Sequence, residues 1–162
     1  MWVAVLAALG GAVVCGCDNG ASGRPWSTDP LNLLLPRLIR IHAFTKTRTF
    51  DEAGGLKGVD VRIEAKDAYD EATKAFGKFR FELYTIQPHD PDPKRNQVMT
   101  WEEDLTSPKK NRLHWHRDHH MYIFKLIWDR PIPAGQEFVL RAVFTSPYTK
   151  RLIDERTFVS GQ

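Results

Sequence analysis

Apolar and charged residues alternate one by one along several short segments of the chain. In 59–65 the odd positions are apolar and the even positions charged. The segments 39–43 and 79–84 show the same alternation, and in 138–144 the even positions form one apolar face. A period of two indicates a β-strand with one buried face, because a helix would place apolar residues three and four positions apart. These segments therefore predict half-buried strands.

The segment 121–128 differs, because it is apolar on nearly both faces and so predicts a central strand. Further strands are expected near 97–105, 111–116 and 151–159. Turn signals rich in Gly, Pro and Asp separate these segments, at 54–55, 89–93, 107–108 and 131–135. The pattern of seven or eight short strands predicts an all-β fold, an antiparallel β-sandwich of immunoglobulin-like or related topology. One helical turn is expected at 31–35, and 70–76 is either a short helix or a loop.

The first fourteen residues are apolar and uncharged, and the first charge along the chain is Asp18. This run is shorter than the roughly 20 residues that span a bilayer as a helix, and it has the length of the apolar part of a signal peptide. It ends in Val14-Cys15-Gly16-Cys17, which resembles the lipobox of bacterial lipoproteins. A basic segment normally precedes such a run, and this chain has none.

The lipobox resemblance implies export and lipidation of Cys17, with cleavage before it. The expected organisation is a signal peptide at 1–16, a lipidated Cys17 and flexible tether at 17–36, and a sandwich domain at 37–162. The resemblance also implies a covalent diacylglyceryl group as the anchor, since a single acyl chain binds only marginally. Asp18 directly after the cysteine favours retention in the inner membrane in some of these lipoproteins. Both cysteines lie in the lipobox, so the mature domain would contain no disulfide.

The domain itself resembles a group of small uncharacterised lipoproteins from planctomycete-type bacteria. The segments that carry this resemblance are 40–45, 74–84 and 154–159. No activity follows from it.

Composition adds limits on function. The net charge is only +3, and the basic residues form no stripe, so no nucleic-acid partner is expected. The chain has no Gly-x-Ser-x-Gly, no His-Glu-x-x-His and no phosphate-binding glycine loop. The sequence thus predicts a protein that is not an enzyme.

The densest chemistry is the segment 114–120, which contains His114, His116, His119 and His120. On a strand, His114 and His116 would share a face, and a hairpin would bring His119 close. Neutral imidazoles in this arrangement suit zinc or copper. A polar hairpin with its histidines in water is the alternative. If consecutive strands are antiparallel, the loop 88–96 with its His89, Asp90 and Asp92 would lie at the same end.

A second candidate is a loop containing Asp67, Asp70 and Glu71, with Asp129 expected in another loop at the same end. Carboxylates on sandwich loops are a common arrangement for calcium, although this spacing matches no EF-hand. The alternative is a solvated loop in which Asp67 caps a turn.

Aromatic residues are the last candidates. One hypothesis is that Trp26, Trp101, Trp115, Trp128 and the tyrosines line a carbohydrate or peptide surface. The alternative is that Trp101, Trp115 and Trp128 pack in the core of the sandwich. Tyr84 is expected to point outward. The leading hypothesis is a membrane-anchored, periplasm-facing lipoprotein that acts as a non-catalytic binding or assembly module of the cell envelope, with an envelope protein as partner. The alternative is a periplasmic metal- or ligand-binding protein that uses the segment 114–120.

Overall fold

The computed structural model describes residues 30–53, 55–86 and 96–161. The chain there is mostly β-structure. Its strands are β1 (Leu38–Ile41), β2 (Lys46–Thr49), β3 (Lys57–Lys66), β4 (Lys78–Thr85), β5 (Gln97–Asp104), β6 (Trp115–His116), β7 (Met121–Ile127), β8 (Glu137–Thr145) and β9 (Leu152–Val159). Its helices are α1 (Pro30–Leu33) and α2 (Pro108–His114).

Two antiparallel sheets form the β-sandwich that the alternation predicts. One sheet has the order β1-β3-β7-β6, with β2 also paired to β3, and the other has the order β5-β4-β8-β9. When the strands are lettered along the chain with β1 and β2 as A, this is A-B-E-D against C′-C-F-G. That order is the immunoglobulin pattern.

The core consists of the inward positions of the alternating segments. Phe79 lies at its centre, with ring centroids 5.3 Å from Phe124 and 4.8 Å from Phe144. Phe79, Phe124 and Phe144 are all fully buried. Because strand side chains alternate, the residues between these positions lie on the outer faces of the sheets.

The first strand position of the sandwich is interrupted. Leu38–Ile41 pair with residues 63–66 of β3, and Lys46–Thr49 pair with residues 57–60. The four residues 42–45 therefore lie opposite only Val61 and Arg62. Two hydrogen bonds hold this irregular segment to Arg62, whose carbonyl accepts from the His42 N–H at 2.8 Å and whose N–H donates to Thr45 Oγ1 at 3.1 Å.

Side chains from one sheet close the strand edges of the other. Trp101 Nε1 on β5 donates to the Ile127 carbonyl at 2.7 Å, beyond the point where β6 ends. On the opposite side, the Ile41 N–H of β1 donates to Asp154 Oδ2 of β9 at 2.6 Å. Edge groups without partners attract other chains, so these contacts protect the sandwich as well as joining its sheets.

The strand predicted at 111–116 is wrong, because most of that segment is α2 and only Trp115–His116 form a strand. Ser107-Pro108 is a turn signal, but it is also a good helix start, since proline is favoured in the first turn. Pro108 occupies that position and Ser107 is the N-cap. As a result, the chain does not cross the sandwich between β5 and β7.

The end of the predicted tether is attached to the domain. Leu33 accepts a hydrogen bond from the Ala68 N–H at 3.1 Å, and the Leu34 carbonyl accepts one from Thr73 Oγ1 at 2.8 Å. The expected helical turn is present as α1. The lipobox and the remainder of the tether lie outside the described residues. Within the described ranges, neither helix has the length and hydrophobicity needed to cross a membrane.

Candidate functional site

A pocket of about 600 Å³ lies on the outer face of the five-stranded sheet. The central strands β3 and β7 form its floor, and the end of α2 with the 115–119 segment forms one wall. The described residues that line it are Arg48, Asp60, Arg62, Leu113, His114, Trp115, His116, His119, Ile123 and Lys125. Its volume falls within the range of small-molecule sites. We call it the outer-face pocket.

Asp60 is the most buried charged residue of the pocket, at 3% exposure. Its Oδ2 atom lies 3.6 Å from Arg48 Nη1 and 3.7 Å from Arg62 Nη2. Lys46 and Lys125 are its cross-strand neighbours on β2 and β7. Long basic side chains can cover a short one while keeping their charged ends in water, which explains how an outward-facing aspartate becomes buried.

Three residues of the pocket lining each carry one buried side-chain atom without a hydrogen-bond partner, namely Asp60 Oδ1, Arg62 Nε and His116 Nδ1. One is an acceptor, one is a donor, and the imidazole nitrogen can be either. A buried polar group without a partner costs roughly 1–3 kcal/mol, so such groups rarely collect in one place without a reason.

The histidines of 114–120 have separate positions. His114 ends α2, stacks on Phe124 and has Nδ1 3.2 Å from the Ile123 carbonyl. Its Nε2 lies 3.6 Å from Glu103 Oε2, so both ring nitrogens face protein oxygens. His116 and His119 stack on one another, with ring centroids 4.5 Å apart. His120 is exposed and lies outside the pocket lining, at a positive φ of 50°.

The pocket wall is held in place by a buried tyrosine. The Tyr122 hydroxyl accepts from the Ala75 N–H at 2.8 Å and donates to Asn111 Oδ1 at 2.9 Å. Asn111 Nδ2 in turn donates to the Ala75 and Leu105 carbonyls. Burial raises the pKa of Tyr122 to about 12, and its hydrogen bonds offset part of that effect. This network attaches α2 to β7 and so fixes the wall that carries Leu113 and His114.

The predicted metal cluster does not form as a set of ligands. Among residues 30–53, 55–86 and 96–161, no group of three or more His, Cys, Asp or Glu side chains is arranged to hold a metal ion. Of these four histidines, His116 and His119 stack on each other, whereas His114 contacts the Ile123 carbonyl and His120 is exposed to solvent. Structural zinc sites use four ligands and catalytic sites three, so this pair is incomplete.

Loop 88–96 was predicted to lie at the same end of the sandwich as the 117–119 turn. The described residues that flank this loop contradict that prediction. Thr85 pairs with Phe138, whose ring contacts Trp128 after the end of β7. The 117–120 turn instead precedes Met121, at the start of β7, so Thr85 and this turn lie at opposite ends of the sandwich. The missing strand at 111–116 is the reason, because a full strand would have carried the chain across. His89, Asp90 and Asp92 themselves lie outside the described residues.

Two carboxylates of the acidic loop, Asp67 and Asp70, bind groups of the chain itself. Asp67 Oδ1 accepts from the backbone N–H groups of Tyr69 and Glu71 at 2.8 and 3.1 Å, and so caps a turn. Asp70 instead contacts Lys66 Nζ at 3.0 Å. The grouping with Asp129 is wrong, because Asp129 follows the end of β7 whereas Asp67 follows the end of β3, and these strands are antiparallel.

The outer face of the other sheet carries a second polar cluster. Tyr84 was expected to point outward into an exposed contact; it lies on that face but is only 6% exposed. Its hydroxyl donates to Glu82 Oε2 at 2.7 Å, and Arg141 Nη1 lies 3.4 Å from the same oxygen. Burial and the Glu82 carboxylate raise the pKa of Tyr84, so the phenol stays protonated. Arg80 Nε and Arg141 Nη1 lie 2.9 and 3.4 Å from the Glu82 carboxylate, closer than either arginine of the outer-face pocket lies to Asp60. This cluster therefore offers less to a ligand than the outer-face pocket.

Comparison with protein families, with curated proteins and with solved structures finds no match for this chain.

The density of histidines indicated the segment 114–120, but no pattern in the sequence indicated the charged floor of the pocket. Asp60 and Arg62 occupy even positions of a predicted strand, where charged residues ordinarily face water. Arg48 lies on β2, whose sequence Lys-Thr-Arg-Thr has no apolar face to indicate a strand. Only the strand register, which brings Asp60 beside Lys125 and near Arg48, shows that these charges meet. The expected tryptophan packing is present for Trp128, which is buried, and for Trp101 and Trp115, which pack against the core.

Proposed function

We propose that this chain is a non-catalytic binding module whose ligand site is the outer-face pocket. The observation that carries the proposal is that three residues lining one pocket, Asp60, Arg62 and His116, each carry a buried polar atom without a partner. A ligand that pairs with them would recover the desolvation cost that the unliganded protein bears.

The lining favours binding over catalysis. Covalent catalysis most often uses a hydroxyl or thiol beside a base. Among the described lining residues there is no Ser, Thr, Cys or Tyr. His116 and His119, the remaining candidate bases of the 115–119 wall, stack on each other. We infer that the charged groups of the pocket hold a ligand.

We further propose that the module is held at a membrane surface, facing the periplasm, through a lipid on Cys17. The lipobox resemblance supports this part of the proposal. Intact mass after membrane extraction tests it, with Cys17→Ala as the comparison. Cleavage before Cys17 together with diacylglyceryl and acyl additions, absent from the variant, is the expected result. An unmodified full-length chain in the soluble fraction would contradict it.

The assignment of the ligand site can be tested before the ligand is known, by a substitution that fills the pocket. A library of small metabolites is screened against the full-length chain by saturation-transfer NMR, and every compound that binds is tested again on Ile123→Trp. Ile123 lines the pocket and is half-buried, so a tryptophan there occupies part of its volume. Ile153→Trp is the matched control, since Ile153 lies on the outer face of the other sheet and is 45% exposed.

We expect at least one compound whose signal is lost in Ile123→Trp and kept in Ile153→Trp. Circular dichroism and the thermal midpoint verify that both variants fold. If no compound binds, or if the bound compounds are unaffected by Ile123→Trp in a folded protein, the assignment of the pocket is wrong.

Metal binding by the same segment is the second candidate function, and the stacking of His116 on His119 is the observation that favours it. A metal there would need a further ligand from a partner or from the bound molecule, because two imidazoles do not complete a site.

A further inference from the structure

The chemistry of the outer-face pocket restricts the kind of molecule that it can hold. Three cations, Arg48, Arg62 and Lys125, line it together with a single carboxylate, Asp60. That carboxylate is shared between two arginines at distances of 3.6 and 3.7 Å. Both distances exceed those of good charge-assisted hydrogen bonds, which are about 2.7–2.9 Å. The guanidinium groups therefore keep most of their donors, and positive charge predominates.

The positive charge of the pocket favours a ligand with an anionic group. A guanidinium presents N–H donors in a planar fork that matches carboxylate and phosphate groups. Arg62 Nε is a buried donor with no acceptor, and the Lys125 side chain extends from the adjacent strand. A carboxylate or phosphate group beside Arg62 would supply the missing acceptor and neutralise the local charge.

Asp60 requires a hydrogen-bond donor on the same ligand. An ionised carboxylate only accepts hydrogen bonds, and Oδ1 of Asp60 is buried without a donor. The anionic group of the ligand cannot supply one and would be repelled by Asp60. A hydroxyl group can donate without adding charge, whereas an ammonium group would bring a fourth cation next to the three already present. Leu113, Trp115 and Ile123 offer apolar surface for the carbon skeleton.

We infer that the ligand is a hydroxylated organic anion, such as a sugar acid or a sugar phosphate. Its acidic group binds Arg62, Arg48 and Lys125, and a neighbouring hydroxyl donates to Asp60 Oδ1. This inference rests on the proposed function, since it describes the ligand of the same pocket. Both kinds of ligand share an anionic group beside a hydroxyl. The anionic group is either a carboxylate or a phosphate, and the experiment below distinguishes the two.

Isothermal titration of the full-length chain at low ionic strength tests the inference with four probes: glucuronate, glucose 6-phosphate, glucose and inorganic phosphate. We expect glucuronate or glucose 6-phosphate to bind at least about tenfold more tightly than both glucose and phosphate, because only they satisfy both Arg62 and Asp60. Tighter binding of glucuronate identifies a carboxylate as the acidic group, and tighter binding of glucose 6-phosphate identifies a phosphate. Added salt should weaken the binding.

Two variants separate the roles of the charged residues. Arg62→Gln should weaken the preferred anion by about tenfold or more, since it removes a charge-assisted contact. Asp60→Asn should lower the ratio of glucose 6-phosphate affinity to phosphate affinity at least about threefold, because a neutral acceptor binds the hydroxyl less strongly. Arg151→Gln is the control, since Arg151 is exposed and precedes β9 on the other sheet, and its affinities should match those of the parent.

Glucose binding as tightly as the anions would overturn the inference. So would phosphate binding as tightly as glucose 6-phosphate, or the absence of binding by both hydroxylated anions. These outcomes differ from failure of the proposed function. A neutral or cationic compound that is lost in Ile123→Trp would keep the pocket as the ligand site while showing that its ligand is of another class.

Discussion

Replacing Tyr122 with phenylalanine probes the contact that holds the pocket wall. The substitution removes only the hydroxyl, which accepts from the Ala75 N–H and donates to Asn111 Oδ1. The ring contacts with Phe79 and Phe124 remain. The backbone N–H of Ala75, a buried residue, is left without this acceptor, and such a loss costs roughly 1–3 kcal/mol. We therefore expect Tyr122→Phe to lower the free energy of unfolding by about 2 kcal/mol at neutral pH.

The pKa of Tyr122 makes this cost depend on pH. The folded chain raises the pKa from 10.0 to about 12, so the folded state holds the phenolic proton more tightly than the unfolded state. The corresponding stability is fully present below pH 10 and is lost as the pH rises through 12. Two pKa units correspond to about 3 kcal/mol, of which about half is lost by roughly pH 11. The phenylalanine variant has no such dependence at this position.

The assay is urea denaturation of both chains, followed by circular dichroism, from about pH 8 to about pH 11. Other groups titrate in this range, but they are common to both chains and cancel in the difference. We expect the destabilisation caused by Tyr122→Phe to shrink by about 1.5 kcal/mol across the series. Tyr148→Phe is the control, because Tyr148 is 61% exposed and its replacement should change stability by less than about 0.5 kcal/mol. A difference that stays constant with pH would refute the assignment of Tyr122 as a buried, neutral phenol.

Three further changes test the fold and the histidine segment. Gly58→Ala should lower the free energy of unfolding by about 2 kcal/mol or prevent folding, because its Cβ would lie 2.0 Å from the Leu126 carbonyl oxygen. Gly55→Ala is the control and should fold normally, since the nearest atom to its Cβ would be 3.6 Å away. Urea denaturation compares the two variants. Trp101→Phe should cost about 1 kcal/mol and speed amide exchange along β7, since it removes the hydrogen bond that caps this edge. Zinc should bind only weakly in equilibrium dialysis and less still to His119→Ala; a stoichiometric complex that resists a chelator would contradict this.

The fold could be predicted from the alternation because one face of each long strand is buried. The inward positions of β3, β4 and β8 are those expected, and the two antiparallel sheets agree with the predicted sandwich. The failures have physical causes. β2 has no buried apolar face, so it leaves no alternation of apolar and polar residues. Ser107-Pro108 is compatible with both a turn and a helix start, and the helix formed.

The site could be predicted only in part. The density of histidines indicated the segment 114–120, and three of its histidines do line the outer-face pocket. What each histidine can bind depends on its tertiary contacts, which the spacing in the sequence does not specify. The two ring nitrogens of His114, for example, face the Ile123 carbonyl and the Glu103 carboxylate. Asp60 was indistinguishable from any solvent-facing charge, because its burial comes from basic side chains of three different strands.

The outer-face pocket exists because the immunoglobulin pattern is interrupted beside its two central strands. On one side, residues 42–45 separate β1 from β2, and β2 then places Arg48 over the sheet. On the other side, β6 pairs with only Met121 and Tyr122, so α2 rises beside β7 and its Leu113 is 77% exposed at the pocket rim. A regular sheet would present a flat face here. Because these interruptions are local, the fold alone does not imply the site, and other sandwiches of this strand order need not share it.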